Sequence, residues 1–128
     1  MRRNWDEFQG SENKFRRDEP HVTISPKGVI LMNRIAHQMF GEPQHVRLRY
    51  DRANGSIALK PSDGTAVNDF AVKGKSIVNR VVHASPFCRH NRIIIDRTMV
   101  FNTVTVEDDM LVLELGSMTA VGMGGRRT

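Results

Sequence analysis

The sequence has few of the residues that mark secreted, membrane-spanning or disulfide-bonded proteins. It contains one cysteine, Cys88, which excludes an intramolecular disulfide and fits a reducing cytoplasm. No apolar run approaches the roughly 18 to 20 residues that a membrane-spanning helix needs. The first 20 residues lack the apolar core of a secretory signal. We therefore expect a cytoplasmic protein without membrane contact.

Motifs that carry catalysis are also lacking. The chain has no P-loop, no G-x-S-x-G nucleophile elbow and no H-E-x-x-H metal motif. His83, Cys88 and His90 come closest to a metal cluster, but their spacing fits no zinc pattern and a fourth ligand is not evident. A buried cysteine and two surface histidines explain these residues better. The sequence predicts a protein that is not an enzyme and that holds no metal or other cofactor.

The chain does have an excess of positive charge. Nineteen Lys and Arg residues against 14 Asp and Glu residues give a net charge of +5. Residues 1–60 hold 11 basic and 7 acidic side chains, and residues 61–128 hold 8 and 7. Such an excess favours polyanionic partners, such as nucleic acid. It also keeps a small protein in solution, and composition does not decide between these explanations.

Residues 21–61 show the alternation and the turn residues of two β-hairpins joined by one short helix. Pro26-Lys27-Gly28 predicts the first hairpin turn, and Asn54-Gly55 predicts the second. Between them, Asn33 is placed to cap a helix over residues 34–40. The predicted order of elements is β-β-α-β-β.

A fainter copy of this order follows over residues 69–115. Asn79-Arg80-Val81-Val82-His83 repeats the pattern of Asn33-Arg34-Ile35-Ala36-His37, and we interpret the similarity as an internal duplication. The predicted fold is mainly β with short helices (α+β). Two β-β-α-β-β units, 21–61 and 69–115, form one globular domain over 21–115 with a pseudo-dimeric, β-barrel-like core.

The two ends of the chain are predicted to lie outside this domain. Residues 1–20 carry Trp5, Phe8 and Phe15 among several arginines. They are expected to form a flexible arm, which docks on the domain, stays disordered or grips a protein partner. Residues 116–128 are expected to form a flexible tail.

Four features of the first unit occur together in one known family. They are Lys27-Gly28-Val29-Ile30 at the first turn, the short helix, the strand Val46-Arg47-Leu48 and the closing run from Gly55 to Pro61. In these features, which cover roughly a third of the chain, the unit resembles the swapped-hairpin DNA-binding fold of the AbrB, SpoVT and MazE group. Asn33 departs from it, because the group usually has proline there. The tandem arrangement is similar to that of the MraZ proteins, although their signature motif is absent from the second copy.

The resemblance implies paired units and contact with duplex DNA. In that group the units pair to bury hairpins that one copy cannot cover, and basic side chains near the first hairpin and helix reach DNA. Our candidate nucleic-acid-binding residues are Lys27, Arg34, Arg47, Arg49, Arg52, Lys60 and Arg80. The first four match positions of the family, Arg52 and Lys60 are added for their charge, and Arg80 is the counterpart of Arg34 in the repeat.

These observations leave three functions open. The leading hypothesis is a small DNA-binding protein of the transcriptional-regulator type, which contacts the phosphate backbone through basic sheet and loop residues. The alternative is a non-enzymatic interaction or assembly module of a larger phage, polymerase or ribosome complex. The protein could also form a homo-oligomer. The third is single-strand binding on an open sheet, with Tyr50, Phe70 and Phe101 as the stacking aromatics. Arg47 and Arg49 share one strand face, which is equally typical of a solvated outer sheet surface.

Overall fold

The computed structural model describes residues 19–121, which form eleven short strands and two short helices. The strands are β1 (Val22–Ile24), β2 (Val29–Asn33), β3 (His45–Asp51), β4 (Ser56–Ser62), β5 (Asp69–Ala71), β6 (Lys73–Gly74), β7 (Asn79–His83), β8 (Met99–Phe101), β9 (Val104–Glu107), β10 (Met110–Glu114) and β11 (Met118–Ala120). The helices are α1 (Arg34–Met39) and α2 (Ser85–Asn91), and a 3-10 turn covers Leu115–Ser117. Within this part of the chain, neither helix has the length or the apolar content to cross a membrane.

The strands form two antiparallel sheets. Sheet A has six strands in the order β11-β8-β1-β2-β7-β6, and sheet B has five in the order β5-β3-β4-β10-β9. The predicted mainly β class with short helices is confirmed. The predicted barrel-like core is wrong, because both sheets are open and neither closes on itself.

The core lies between the inner faces of the two sheets. Ile30 and Val82 of sheet A, and Leu59 and Leu111 of sheet B, are fully buried in one apolar cluster. Successive residues of a strand point to opposite faces, so strands such as β2 and β4 give alternate side chains to this cluster. The residues between them lie on the outer faces, where some are exposed and others, such as Thr23 and Val112, are also buried.

Each sheet combines strands from both halves of the chain. In sheet A, the hairpin β1–β2 lies beside the hairpin β6–β7 because β2 pairs with β7. In sheet B, the hairpin β3–β4 lies beside β9–β10 because β4 pairs with β10, with Leu59 opposite Leu111. The core therefore needs both halves.

Asn33 caps α1 as the sequence predicts. Its Oδ1 accepts hydrogen bonds from the backbone N–H of Ala36 at 2.9 Å and of His21 at 3.1 Å. Its Nδ2 donates to the carbonyl oxygen of Glu19 at 2.8 Å. One side chain thus begins the helix and also holds the chain that leads into β1. The helix ends at Met39, one residue earlier than predicted.

The structure corrects the predicted alignment of the two copies. Asn79–His83 forms the strand β7, whereas Arg34–Met39 forms a helix, so the similar sequences do not occupy equivalent elements. The second helix begins only at Ser85, with Pro86 in its first turn, where proline needs no hydrogen-bonded N–H. Arg34 and Arg80 are therefore not structural counterparts.

The prediction of a flexible tail from residue 116 is wrong for residues 116–121. Met118–Ala120 forms β11, which pairs with Met99–Phe101 at the edge of sheet A. The backbone N–H of Val121 also donates to the carbonyl oxygen of Thr98 at 3.0 Å. The predictions for the arm up to Asp18 and for the tail from Gly122 lie outside the described residues.

Candidate functional site

The structure divides the predicted nucleic-acid-binding residues between the two sheets. Sheet B and its first hairpin turn hold Arg47, Arg49, Arg52 and Lys60. Sheet A and its connections hold Lys27 in the first turn, Arg34 at the start of α1 and Arg80 in β7. The seven residues therefore belong to two separate groups of elements.

Three of these residues form a cluster on the outer face of sheet B. Arg47 of β3 lies directly opposite Lys60 of β4, and Arg49 lies opposite Ala58. Directly opposed residues share a face and have Cβ atoms about 4.5–5.5 Å apart. The buried Val46 and Leu59 lie on the other face, so the three cations point away from the core. We call Arg47, Arg49 and Lys60 the basic patch.

One carboxylate contacts the basic patch in the described residues. The Nε of Arg47 donates to Oδ1 of Asp69 in β5 at 2.9 Å, and the Asp69 side chain is only 1% exposed. This hydrogen bond lowers the pKa of Asp69. Over residues 19–121, neither Arg49 nor Lys60 has an acidic side chain within ion-pair distance, and Nη1 of Arg49 lies 4.0 Å from Sδ of Met110. The basic patch therefore keeps two cations that no described carboxylate neutralises.

The other predicted basic residues make contacts within their own elements or lie away from the basic patch. Nη1 of Arg80 donates to the carbonyl oxygens of Ser76 at 3.1 Å and Asn79 at 3.0 Å, which fixes its own hairpin. The guanidinium carbon of Arg52 lies 5.2 Å from the centre of the Tyr50 ring, within cation–π distance. Lys27 is exposed in the turn between β1 and β2. That turn belongs to sheet A, whereas the basic patch lies on sheet B.

The outer face of sheet B becomes acidic toward the β3–β4 turn. Asp51, Glu107 and Glu114 line a cleft of about 390 Å³ there. The Oγ of Ser56 donates to Oε1 of Glu114 at 2.6 Å, and hydrogen bonds from Asn54 lower the pKa of Asp51. A polyanion on this face is thus drawn to the basic patch and repelled at the opposite end.

A second candidate site opens on the inner side of β3. It is a cleft of about 380 Å³ between β3, β5 and α2, which we call the aromatic cleft. Its lining residues are Leu48, Tyr50, Asn68, Phe70, Pro86, Phe87, His90 and Asn91. The rings of Tyr50 and Phe87 meet edge to face, with centres 6.5 Å apart.

Two of the three predicted stacking aromatics line this cleft. Tyr50 and Phe70 do so, whereas Phe101 is 3% exposed and is buried in the core, where a ligand does not reach it. The prediction for Phe101 is therefore wrong. Sequence reasoning also missed Phe87, because only the packing of α2 beside β3 brings its ring to Tyr50.

The basic patch and the aromatic cleft meet at a partly open sheet edge. β5 pairs with His45–Arg47 of β3, but no strand within residues 19–121 pairs with positions 48–51 on that side. Arg49 faces outward and Tyr50 inward along this edge. The two sites therefore lie on opposite faces of one uncovered strand segment.

The three residues of the weak metal pattern do not form a site. His83 is exposed in β7 and His90 is exposed on α2, while Cys88 is buried and its pKa is raised by that burial. Across the described part of the chain, no group of three or more His, Cys, Asp or Glu side chains is arranged to hold a metal ion.

The charge of the folded part is nearly balanced. Residues 19–121 contain 12 Lys and Arg and 10 Asp and Glu, a net +2 of the total +5. The rest of the positive excess lies in residues 1–18 and 122–128. The described domain therefore carries only a small part of the chain's net positive charge.

Comparison with known proteins adds no relative: no family model, curated protein or solved structure matches this chain. The resemblance of the first unit to the AbrB, SpoVT and MazE group stays a prediction.

Proposed function

We propose that this protein is a small, non-enzymatic nucleic-acid-binding protein that contacts the phosphate backbone through the basic patch. The observation that carries the proposal is the pairing of Arg47 opposite Lys60, with Arg49 beside them and one carboxylate among the three cations. Like charges directly opposite each other destabilise a sheet. Asp69 already offsets the charge of Arg47, and a polyanion lying across the basic patch neutralises Arg49 and Lys60 as well, so the arrangement favours the bound state.

The spacing of the patch suits a phosphate backbone. Residues two apart in a strand, such as Arg47 and Arg49, are about 7 Å apart along its axis. Each DNA strand carries a regular row of closely spaced phosphates, so two cations at this spacing can contact neighbouring phosphates of one backbone. Lys60 widens the patch onto the next strand.

The proposal includes the finer architecture inferred from the sequence. The side-by-side hairpins in both sheets support two β-β-α-β-β units that act as a pseudo-dimer within one chain. A relation to the swapped-hairpin group, a regulatory role on duplex DNA and a cytoplasmic location belong to this proposal as well.

Salt-dependent binding tests the proposed function. Fluorescence anisotropy with labelled duplex and single-stranded DNA compares the wild type with Arg49→Gln/Lys60→Gln. The matched control is Lys73→Gln/Lys75→Gln, which removes the same charge from the exposed β6 region of sheet A. We expect the patch variant to lower the slope of log K against log salt by about 0.7–0.9 per lost phosphate contact, and the control to leave it unchanged.

Two results contradict this function. One is no binding to either form of DNA at about 50 mM salt, or binding that does not depend on salt. The other is an equal loss in the patch variant and the control, because binding would then follow net charge and not this surface.

The open edge of β3 favours a second function, assembly with another copy of the chain. Unpaired strand edges pair readily with other strands, and the uncovered segment is residues 48–51. A second copy that pairs there about a two-fold axis would extend sheet B into a larger sheet. Sedimentation equilibrium over a range of protein concentrations tests it. A monomer at every concentration contradicts this function.

A further inference from the structure

We infer that the aromatic cleft binds one unstacked base of a single-stranded nucleic acid. The inference rests on the proposed function and deepens it, because it specifies the state of the strand and the place where a base lies. It depends on three features of the cleft: its aromatic walls, its polar rim and its position beside the basic patch.

The walls of the cleft suit a flat ring. Tyr50, Phe70 and Phe87 come from three different elements and surround one space of about 380 Å³. The planes of Tyr50 and Phe87 are inclined at 87°, so the two rings form walls of different orientation around this space. Proteins that bind single strands stack bases on aromatic rings, and every base has a face that can stack.

The rim of the cleft supplies the polar groups that a base edge needs. Asn68, His90 and Asn91 line it. Nδ2 of Asn91 donates to the carbonyl oxygen of Phe87 at 3.0 Å, which leaves its Oδ1 as an acceptor. Amides and imidazoles both donate to and accept from base edges. No carboxylate is among the described residues that line the cleft, so an anionic strand meets no repulsion there.

The open edge of β3 gives a strand a route between the two sites. Arg49 faces the basic patch, Tyr50 faces the cleft, and the Arg52 guanidinium covers the Tyr50 ring at 5.2 Å. A strand with its phosphates on the basic patch can pass this edge and place one base on the inner side. The bases of a duplex are stacked and paired, so a duplex reaches the cleft only at the cost of unstacking.

An extended peptide with an apolar side chain is the competing occupant. It fits the open edge and the apolar walls, but it makes no particular use of Arg49, Arg52 or the three polar rim residues. The cations beside the cleft and the hydrogen-bonding rim therefore favour the nucleic acid.

The test measures anisotropy with a labelled single strand and with the duplex of the same sequence. The stacking variant is Tyr50→Leu. The rim variant, Asn68→Ala/His90→Ala, changes two exposed residues and so leaves the core intact. His83→Ala, which removes an exposed imidazole on β7, is the matched control.

We expect the stacking variant to weaken single-strand binding about 5- to 150-fold, the range for one stacked base, and to leave duplex binding unchanged. The rim variant weakens single-strand binding in the same direction, and the control changes neither.

The outcomes separate this inference from the proposed function. If single strand and duplex bind equally, the cleft variants change neither, and Arg49→Gln/Lys60→Gln weakens both, the inference is overturned and the function stands. If neither nucleic acid binds in a salt-dependent way, both fall. The inference also falls if the cleft variants weaken binding of a synthetic peptide of residues 1–18, which carries three aromatics, and leave single-strand binding unchanged.

Discussion

Arg47 and Asp69 form an ion pair of 2.9 Å that fastens the short strand β5 to the edge of β3. Asp69 also accepts a hydrogen bond from the backbone N–H of Ala66 at 3.1 Å, so the same carboxylate holds the loop before β5. The next residue is Phe70, which lines the aromatic cleft. One half-buried pair thus connects the outer basic patch with the inner cleft.

Removing the Asp69 charge is expected to change the acid stability of the domain. The hydrogen bond with Arg47 lowers the folded-state pKa of Asp69 below its ordinary value of 3.8. Its contribution is therefore complete above pH 3.8 and is lost as the pH falls through the lower folded-state pKa. Asp69→Asn should lower the unfolding midpoint at neutral pH and flatten the profile below pH 3.8, as measured by urea unfolding across pH. Asp108→Asn, in an exposed turn, is the control, and identical profiles for Asp69→Asn and the wild type would refute the prediction.

Replacing Asn33 tests the helix cap. Asn33→Ala removes the bond to Ala36 and the bonds to His21 and Glu19, and loss of an N-cap costs about 0.5–2 kcal/mol. Asn33→Asp keeps the acceptor oxygen but loses the donor to Glu19, so its free energy of unfolding should lie between those of the wild type and Asn33→Ala. Urea denaturation measures all three. Equal stability of the alanine and aspartate variants would show that the cap contributes nothing.

A pair of glycine variants separates backbone strain from steric contact. Gly28 and Gly41 have φ of +76° and +94°, where an alanine costs about 1–2 kcal/mol. A Cβ at Gly28 would also lie 2.8 Å from Cα of Ser85, whereas none of the described atoms lies within 4 Å at Gly41. Gly28→Ala should therefore lower the free energy of unfolding more than Gly41→Ala does. Equal losses in thermal or urea unfolding would mean that the first turn does not pack against α2.

Cys88 offers a probe of opening of the core. It is the only cysteine, it is 6% exposed, and burial raises its pKa. Because the thiolate is the reactive form, a raised pKa and burial both slow its reaction with a thiol reagent at mildly alkaline pH. We expect slow labelling of the native protein and rapid labelling in denaturant, followed by absorbance. Native labelling at the rate of a free thiol would contradict the packing of α2.

Local chemistry explains which parts of the fold the sequence predicts. The left-handed turn at Gly28 and the Asn33 cap on Ala36 each follow from residue types close together in the sequence, and the structure has both where they are predicted. Whether Asn79–His83 forms a helix or a strand depends instead on β2, a strand distant in sequence that pairs with it. The strand Met118–Ala120 likewise exists because β8 pairs with it, although its own sequence is typical of a flexible tail.

The same division holds for the candidate sites. Alternation along β3 correctly predicts that Arg47 and Arg49 share an outward face. It gives no indication of Asp69, which reaches Arg47 only through the pairing of β5. The aromatic cleft requires β3, β5 and α2 at once, so no local pattern predicts that Tyr50 and Phe87 meet.

The mixing of early and late strands in both sheets also sets when the protein can fold during synthesis. β1 pairs with β8, and β4 pairs with β10, so each of these strands needs a partner that comes more than 50 residues later in the chain. A growing chain that has released only residues 19–62 contains two hairpins whose partner strands are missing. The β1–β2 hairpin gains β7 and β8 once residue 101 has left the ribosome, and the β3–β4 hairpin gains β10 once residue 114 has left it. Since translation adds about 5–20 residues per second, the two hairpins lack these partner strands for seconds in each molecule made, which is when the chain is most exposed to aggregation and most dependent on chaperones.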